Sequence, residues 1–466
     1  MFLLGMAQSS WSRGATGLGL LLVLELAPGC RKTGGRPGLP LDEPAPGAGV
    51  SGAASSAGRG NAAAGAASGG GTAAEAGSSG AVARGGSSGA GGAGVEPPDA
   101  GPHVGSPREE LLSAVAECSL ATAREFLAVS EVLVTATETQ LSSPSEANAE
   151  AVRVAWLSAM TRWHRLELFQ FGPLAATSQP GGQGLRDQIY PWPSFNRCFV
   201  DQQTLNDRYL ADDFATTLPN TRGLGAIEYL SFHAAPDNGC PLTHAMNQTG
   251  SWAALGEAEI ARRRAAYAHA AARDVSARAR ALVEAWDPAG GNFSRVLASA
   301  GSGSVLYPTL QAGFNAVSDA MFYLDTEVKD MKLAWPLAIA DCGGPCPPIA
   351  ESPYARHSTA LLRENLIGYR LLFEGCAEDG HGVFFDDVLV ELGQDELASR
   401  MRGELAAAIA ALEAVEEPGI EAAVVLDAES VQTLYMAVKG VTDSLKTDFL
   451  AVLDLARPMG AEGDND

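Results

Sequence analysis

Common catalytic signatures are missing from this sequence. Its foldable part holds no G-x-S-x-G nucleophile elbow and no H-E-x-x-H zinc helix. There is no phosphate loop either: the stretch RGLG at Arg222–Gly225 lacks the following Gly and Lys that a phosphate cradle requires. Positive charge is also in short supply, since the net charge is −23 over 466 residues. So acidic a chain repels phosphate backbones and anionic surfaces, which argues against nucleic acid as a partner and favours cationic ligands. Strand-like alternation is scarce. Between residues 31 and 106 large apolar side chains are nearly absent, and Gly, Ala, Ser and Pro dominate. Such a segment cannot bury enough surface to offset its ordering entropy and reads as a flexible tether. The chain as a whole is nevertheless 46% hydrophobic, ample for a large core elsewhere.

The N-terminus has the features of an export signal. Arg13 precedes the apolar run Gly14–Leu24, which is too short to span a bilayer and suits a secretory core. The pentapeptide LAPGC, Leu26–Cys30, puts small residues before a cysteine in the manner of a lipobox, with Pro28 and Glu25 as departures. The expectation is a signal peptide over residues 1–30, lipid on Cys30, and a tether that holds the folded body away from a membrane. Six further cysteines are then expected to form disulfides in an oxidising compartment. Cys198 and Cys240 bracket a helical region, and Cys342 and Cys346 could staple the short CGGPC loop. Elimination would leave Cys118 to meet Cys376, although six cysteines admit many connectivities. Zinc is disfavoured, because the C-x3-C spacing has no second matching pair.

From about residue 107 the texture is helical. SPSE at Ser143–Glu146 has the form of a capping box, with Pro at the first helical position. The helix it starts carries Trp156, Met160, Trp163 and Phe171 on one stripe and is expected to run to Gly172-Pro173. An Ala- and Arg-rich helix spans about Leu255–Trp286. Leu310, Phe314, Val317, Met321, Leu324, Val328 and Met331 alternate steps of four and three, as do Val431, Leu434, Val438, Val441 and Leu445. The fold class is all-α: two packed helical bundles, about 107–290 and 305–458, before an acidic tail at 459–466. The long irregular loop Ser178–Cys198 is of a kind that is often functional.

Carboxylates in apolar company mark the candidate site. Glu228 lies in RGLGAIEYLSF, Arg222–Phe232, with Leu224, Ile227 and Phe232 on its own helix face. An unpaired buried carboxylate costs several kcal/mol, roughly, so it must be protonated, paired or ligated. Gly223 and Gly225 would let a backbone or ligand approach, and Arg222 is the nearest cation in sequence. Glu167 continues the Trp156–Met160–Trp163 stripe, with His164 one turn before it; the spacing can hold a metal, yet a polar helix edge is the commoner meaning. Glu351, in AESPYARHS, could bind a ligand or cap the following helix. Asp325, Glu327, Asp330 and Lys332 are expected mostly at the surface.

These segments, in this order, resemble the imelysin family, particularly its lipoprotein branch. The matching stretches are AWLSAMTRWHRLELFQFGP (Ala155–Pro173), RGLGAIEYLSF, FYLDTEVKDMKLAWPLAIA (Phe322–Ala340), ESPYARHS, LLFEG and FFDDVLVELGQDELA. The resemblance implies two related bundles with polar motifs gathered between them, and an exported protein of the bacterial cell envelope linked to iron uptake. It also implies a metallopeptidase label, whose hallmark is G-x-H-x-x-E. Here the glutamate is Glu228 and the first glycine Gly223, but the histidine position is Gly225. Neither His233 nor His164 stands at that spacing, and Ala355 replaces a serine in the ESPYS-like segment. Without the imidazole the ligand set is mostly oxygen, which suits iron or calcium better than catalytic zinc.

The functional expectation is therefore cation binding, iron foremost, at Glu228 and Glu351 with Glu167, Gly223 and Gly225 around them. The partners would be a membrane, through the lipid, and an envelope protein. A metallopeptidase, or a scaffold whose carboxylates merely pair with Arg222, Lys332 or Arg370, are the alternatives.

Overall fold

The computed structural model describes residues 105–339, 350–376, 382–416, 418–458 and 461. The export signal, Cys30, the tether, the acidic tail beyond Ala461 and the Cys342/Cys346 pair lie outside the described residues. Helices dominate, and no strand occurs among the described residues. None of those helices is long and apolar enough to cross a membrane.

Helix α1, Pro107–Ser142, begins at a reciprocal cap: Ser106 accepts from the Glu109 amide, and Glu109 accepts from the Ser106 amide. Helix α2 spans Glu146–Leu166. Its N-cap is Ser145, not Ser143, because Ser143 already closes α1 by donating its amide to the Thr139 carbonyl. It also stops a turn and a half before Gly172-Pro173, with Glu167 as its C-cap. Helices α3 (Gly223–Phe232) and α4 (Glu257–Trp286) complete a first group, in which α1 packs on α2 and α4, and α3 on α2 and α4.

The second group starts with α5, Leu310–Met321, which runs on into a π-helical stretch, Leu324–Ala334. Helices α6 (Ser358–Phe373), α7 (Asp395–Glu413) and α8 (Ala428–Ser444) follow. The π stretch lies against both α6 and α8, so the apolar seam read from sequence is not its only buried face. Asp325, Lys329 and Lys332 point inward as well, contrary to the surface expectation. Asp325 meets Lys446 (3.2 Å), from a second π-helical turn, Leu445–Phe449, that follows α8. A single hydrophobic cluster continues through both groups. Two disulfides form: Cys118–Cys376 ties this cluster, joining α1 to the segment just after α6, and Cys198–Cys240 sits in a smaller separate cluster with Met246, Trp252 and Ile260.

The groups meet where α6 crosses the end of α2. Gly368 makes that crossing close: a Cβ there would lie 2.6 Å from the Arg165 carbonyl oxygen. Gly368→Val should therefore force the helices apart and cost about 2–3 kcal/mol of stability. Urea unfolding checks this; a loss under about 0.5 kcal/mol would show the crossing to be loose.

Candidate functional site

The close crossing brings five segments to one buried point. The last turn of α2 supplies His164 and Glu167, the π stretch supplies Lys332, and α6 supplies Asn365. The turn before α6 supplies Glu351 and Ser352, and α3 supplies Glu228. His164 and Glu167 are wholly buried, so the polar-edge reading of that pair fails. Burial follows from α6 covering the face that an isolated α2 would show to water. Glu351 does not cap α6 either, since His357 occupies the N-cap position.

Lys332 sits at the centre. Its ammonium lies 2.8 Å from Glu167 Oε1, 2.7 Å from Glu351 Oε1 and 2.7 Å from Asn365 Oδ1, which uses all three of its N–H bonds. The rings of Tyr323 and Trp192 stand 5.2 and 5.6 Å from it. Asn365 Nδ2 donates to Glu167 Oε1 and to the His164 carbonyl, each at 2.8 Å. His164 Nδ1 faces the Met160 carbonyl at 2.9 Å, so that nitrogen carries the proton; Nε2 faces Glu351 Oε1 at 2.8 Å. Two acceptors cannot approach so closely, so one further proton lies in the second bond. Burial alone would raise Glu167, but the charges of Lys332, His164 and Arg186 outweigh it and hold the carboxyl at about 2. Glu351 is likewise lowered: burial opposes the shift, and Lys332 and then His164 overcome it.

Glu228 is different, because none of its partners among the described residues is a cation. Arg222, its nearest sequence cation, is committed to Asp274 at 2.6 Å, and Arg370 is exposed. Glu228 Oε1 instead accepts from Ser352 Oγ (2.9 Å) and from the amides of Tyr354 and Ala355 (both 3.0 Å). Burial pushes the Glu228 carboxyl up to about 7; these three donors oppose the rise, and the Glu351 charge adds to it. Its Oε2 bonds to no described residue.

Beside this carboxyl is a half-open cavity of about 320 Å³. Glu228, Glu351 and Gly225 line it together with Tyr190, Trp192, Phe195, Arg197, Trp335 and Tyr354. Glu351 Oε2 and the Tyr190 hydroxyl are buried with no partner among the described residues. Glu167 lies behind Lys332, off the cavity wall. Gly223 has a packing role: it takes φ +77°, and a Cβ there would strike the Ile189 carbonyl at 2.4 Å.

A metal can be tested against these donors. Ligand atoms of His164, Glu167 and Glu351 all lie within 4.8 Å of one another, close enough to share an ion. The Lys332 ammonium already stands between the two carboxylates, and both His164 ring nitrogens are engaged. That trio does not fit a metal while Lys332 is in place. Glu228 and Glu351 both line the cavity, and one oxygen of each, Glu228 Oε2 and the buried Glu351 Oε2, has no partner among the described residues. Sequence reasoning did not single out Asn365, Ser352 or Tyr190. Tyr190 and Trp192 belong to the long loop that was expected to be functional; Asn365 had no local signal.

Two measurements follow. Lys332→Met should destabilise the fold by about 3–5 kcal/mol, because two buried carboxylates lose their counter-charge, and adding Glu351→Gln should recover part of the loss. A loss below about 1 kcal/mol in urea would contradict the central role of this ammonium. For Glu228, a folded carboxyl near 7 against 4.5 in the unfolded chain means that folding retains a proton in between. Its stabilising contribution is complete below about pH 4.5 and is lost as pH rises through 7. The stability of the wild type relative to Glu228→Gln should accordingly fall across that window, and a flat difference would refute the assignment.

Comparison with known proteins agrees with this architecture. The family model for imelysin matches residues 119–447. Iron-regulated protein A of Synechococcus elongatus is 27% identical over 322 residues, covering 68% of this chain and 79% of that protein. Two crystal structures share the fold. One is described as an iron-regulated protein A precursor, from Parabacteroides distasonis (TM-score 0.58, 15% identity, 75% of this chain and 96% of that one). The other is an imelysin-like protein from Psychrobacter arcticum (TM-score 0.56, 16% identity, 76% and 97%). With more than two thirds of its length matched by the family model, this chain belongs to the imelysin family.

Proposed function

We propose that this protein is an exported, lipid-anchored binding protein that holds a cation in the cavity between Glu228 and Glu351, in the service of metal acquisition at the bacterial envelope. The observation that carries the reading is a pair of unpartnered oxygens on two cavity-lining carboxylates: among the described residues Glu228 has no cation partner, and Glu351 Oε2 has no partner. Every other buried acid at this centre is already neutralised by Lys332. A carboxylate kept in apolar surroundings without a counter-charge is costly, and a cationic ligand is what relieves that cost. The names of the relatives point to iron as the physiological context. Cys30 supports anchoring, because it falls where an export signal is cut. Gly225 favours binding over peptide hydrolysis, since among the described residues no histidine lines the cavity beside Glu228 to complete a hydrolytic zinc site.

The test is a panel of cations — iron(III), calcium, zinc and small ammonium salts — against the full chain and its Glu228→Gln variant. At least one member should raise the unfolding midpoint of the wild type and leave the variant unmoved. A ligand at a hundred times its Kd would contribute about 2.7 kcal/mol. If no member shifts the wild type and the variant is merely less stable, the carboxylates are structural.

A further inference from the structure

The wall of the cavity is rich in aromatic side chains. Five of its lining side chains are Tyr190, Trp192, Phe195, Trp335 and Tyr354, and Trp192 and Trp335 have ring centroids 6.2 Å apart. A hard metal ion in a protein wants about six oxygen ligands at short range. This wall offers the free oxygens of Glu228 and Glu351 and the unpartnered Tyr190 hydroxyl, and little else that could coordinate. Arg197, the one cation on the wall, lies beside the Tyr354 hydroxyl.

Gly225 borders this aromatic face: an ideal Cβ there would stand 3.5 Å from the Phe195 ring, in ordinary contact with it. The chain also supplies its own precedent for the occupant. Glu351 already holds an ammonium, that of Lys332, which lies 2.7 Å from Glu351 Oε1 and 5.6 Å from the Trp192 ring. The other oxygen of that carboxylate is free, and the same indole lines the cavity.

We propose that the cavity receives the ammonium group of a compact organic cation, seated between the Glu228 and Glu351 carboxylates and the Trp192 and Trp335 rings, and does not take a bare metal ion. Carboxylates supply the charge, and ring faces supply the cation–π attraction that a desolvated ammonium finds and a hard metal ion does not use. About 320 Å³ accommodates a small organic molecule and far exceeds a single ion. This inference rests on the cavity being the ligand site.

The experiment uses the full chain and four probes: choline, n-butylammonium, 3,3-dimethylbutan-1-ol and iron(III) nitrilotriacetate. The third is the neutral carbon isostere of choline, so the comparison isolates the charge without altering the protein. Binding is followed by calorimetry and by tryptophan fluorescence. The expected result is that at least one ammonium binds, that the neutral isostere binds about tenfold more weakly than choline or not at all, and that Trp335→Leu weakens ammonium binding about tenfold. Trp335 is partly exposed, so this variant should fold, and circular dichroism checks it. Iron binding that depends on Glu228, with no ammonium binding at millimolar concentration, would overturn the inference and leave the cavity reading intact. Equal binding of choline and its isostere would overturn it too, by showing a merely apolar pocket. If none of the four binds, the inference and the cavity reading fail together.

Discussion

The structure depends on one buried ammonium. Lys332 reaches the core from a π-helical stretch and is met there by oxygens from α2, α6 and the turn before α6. Each partner is itself held: Glu167 and the His164 carbonyl by Asn365, and Glu351 by the His164 ring. Removing a charge from water costs several kcal/mol, roughly, and the cost is offset only when geometry and hydrogen bonds are nearly complete. The helices are therefore obliged to meet in one register. Gly368 permits the approach, the disulfide from Cys118 to Cys376 fixes α1 to the segment just after α6, and the apolar core closes around them. The π-helical stretch belongs to the same requirement, since it turns Lys332 toward α2 while Lys329 and Asp325 are buried with it.

Glu228 stands apart from this arrangement and gains its meaning from the contrast. Lys332 neutralises Glu167 and Glu351 on one side, yet it is shared and directed inward. Glu228 is stabilised only by three neutral donors, so burial still dominates its titration. Both carboxylates line a cavity that also holds five aromatic side chains, and each keeps one oxygen without a partner among the described residues. Structural and ligand-seeking carboxylates thus sit side by side, and Glu351 serves in both roles, one oxygen to each.

Much of the fold was legible in the primary structure, for a physical reason. Apolar periodicity reports directly on which face of a helix is buried, so Phe314, Val317, Met321, Leu324 and Val328 lie in the core with Val431, Leu434, Val438, Val441 and Leu445, while the ends of the first seam, Leu310 and Met331, are half-buried. Helix ends were less legible, because caps depend on which of two neighbouring serines a previous helix has already used. Ser143 closes α1 and leaves Ser145 to open α2. Buried charge was the least legible. His164–Glu167 and Lys332 carry the polar pattern of a solvated face, and nothing local reveals that α6 or α8 will cover them.

The sequence by itself determined the class of the protein: helical periodicity, an acidic body, paired cysteines, and a lone glutamate in an apolar run preceded by Gly-x-Gly. These are properties of single segments, and neighbours along the chain suffice to define them. Only the tertiary structure decided what those residues do. It gave Arg222 to Asp274, Lys332 to Glu167 and Glu351, and, among the described residues, no cation to Glu228. Which opposite charge reaches which carboxylate is settled by packing between segments far apart in the chain, 52 residues for Arg222 and Asp274 and 165 for Glu167 and Lys332, and such separations carry no local trace.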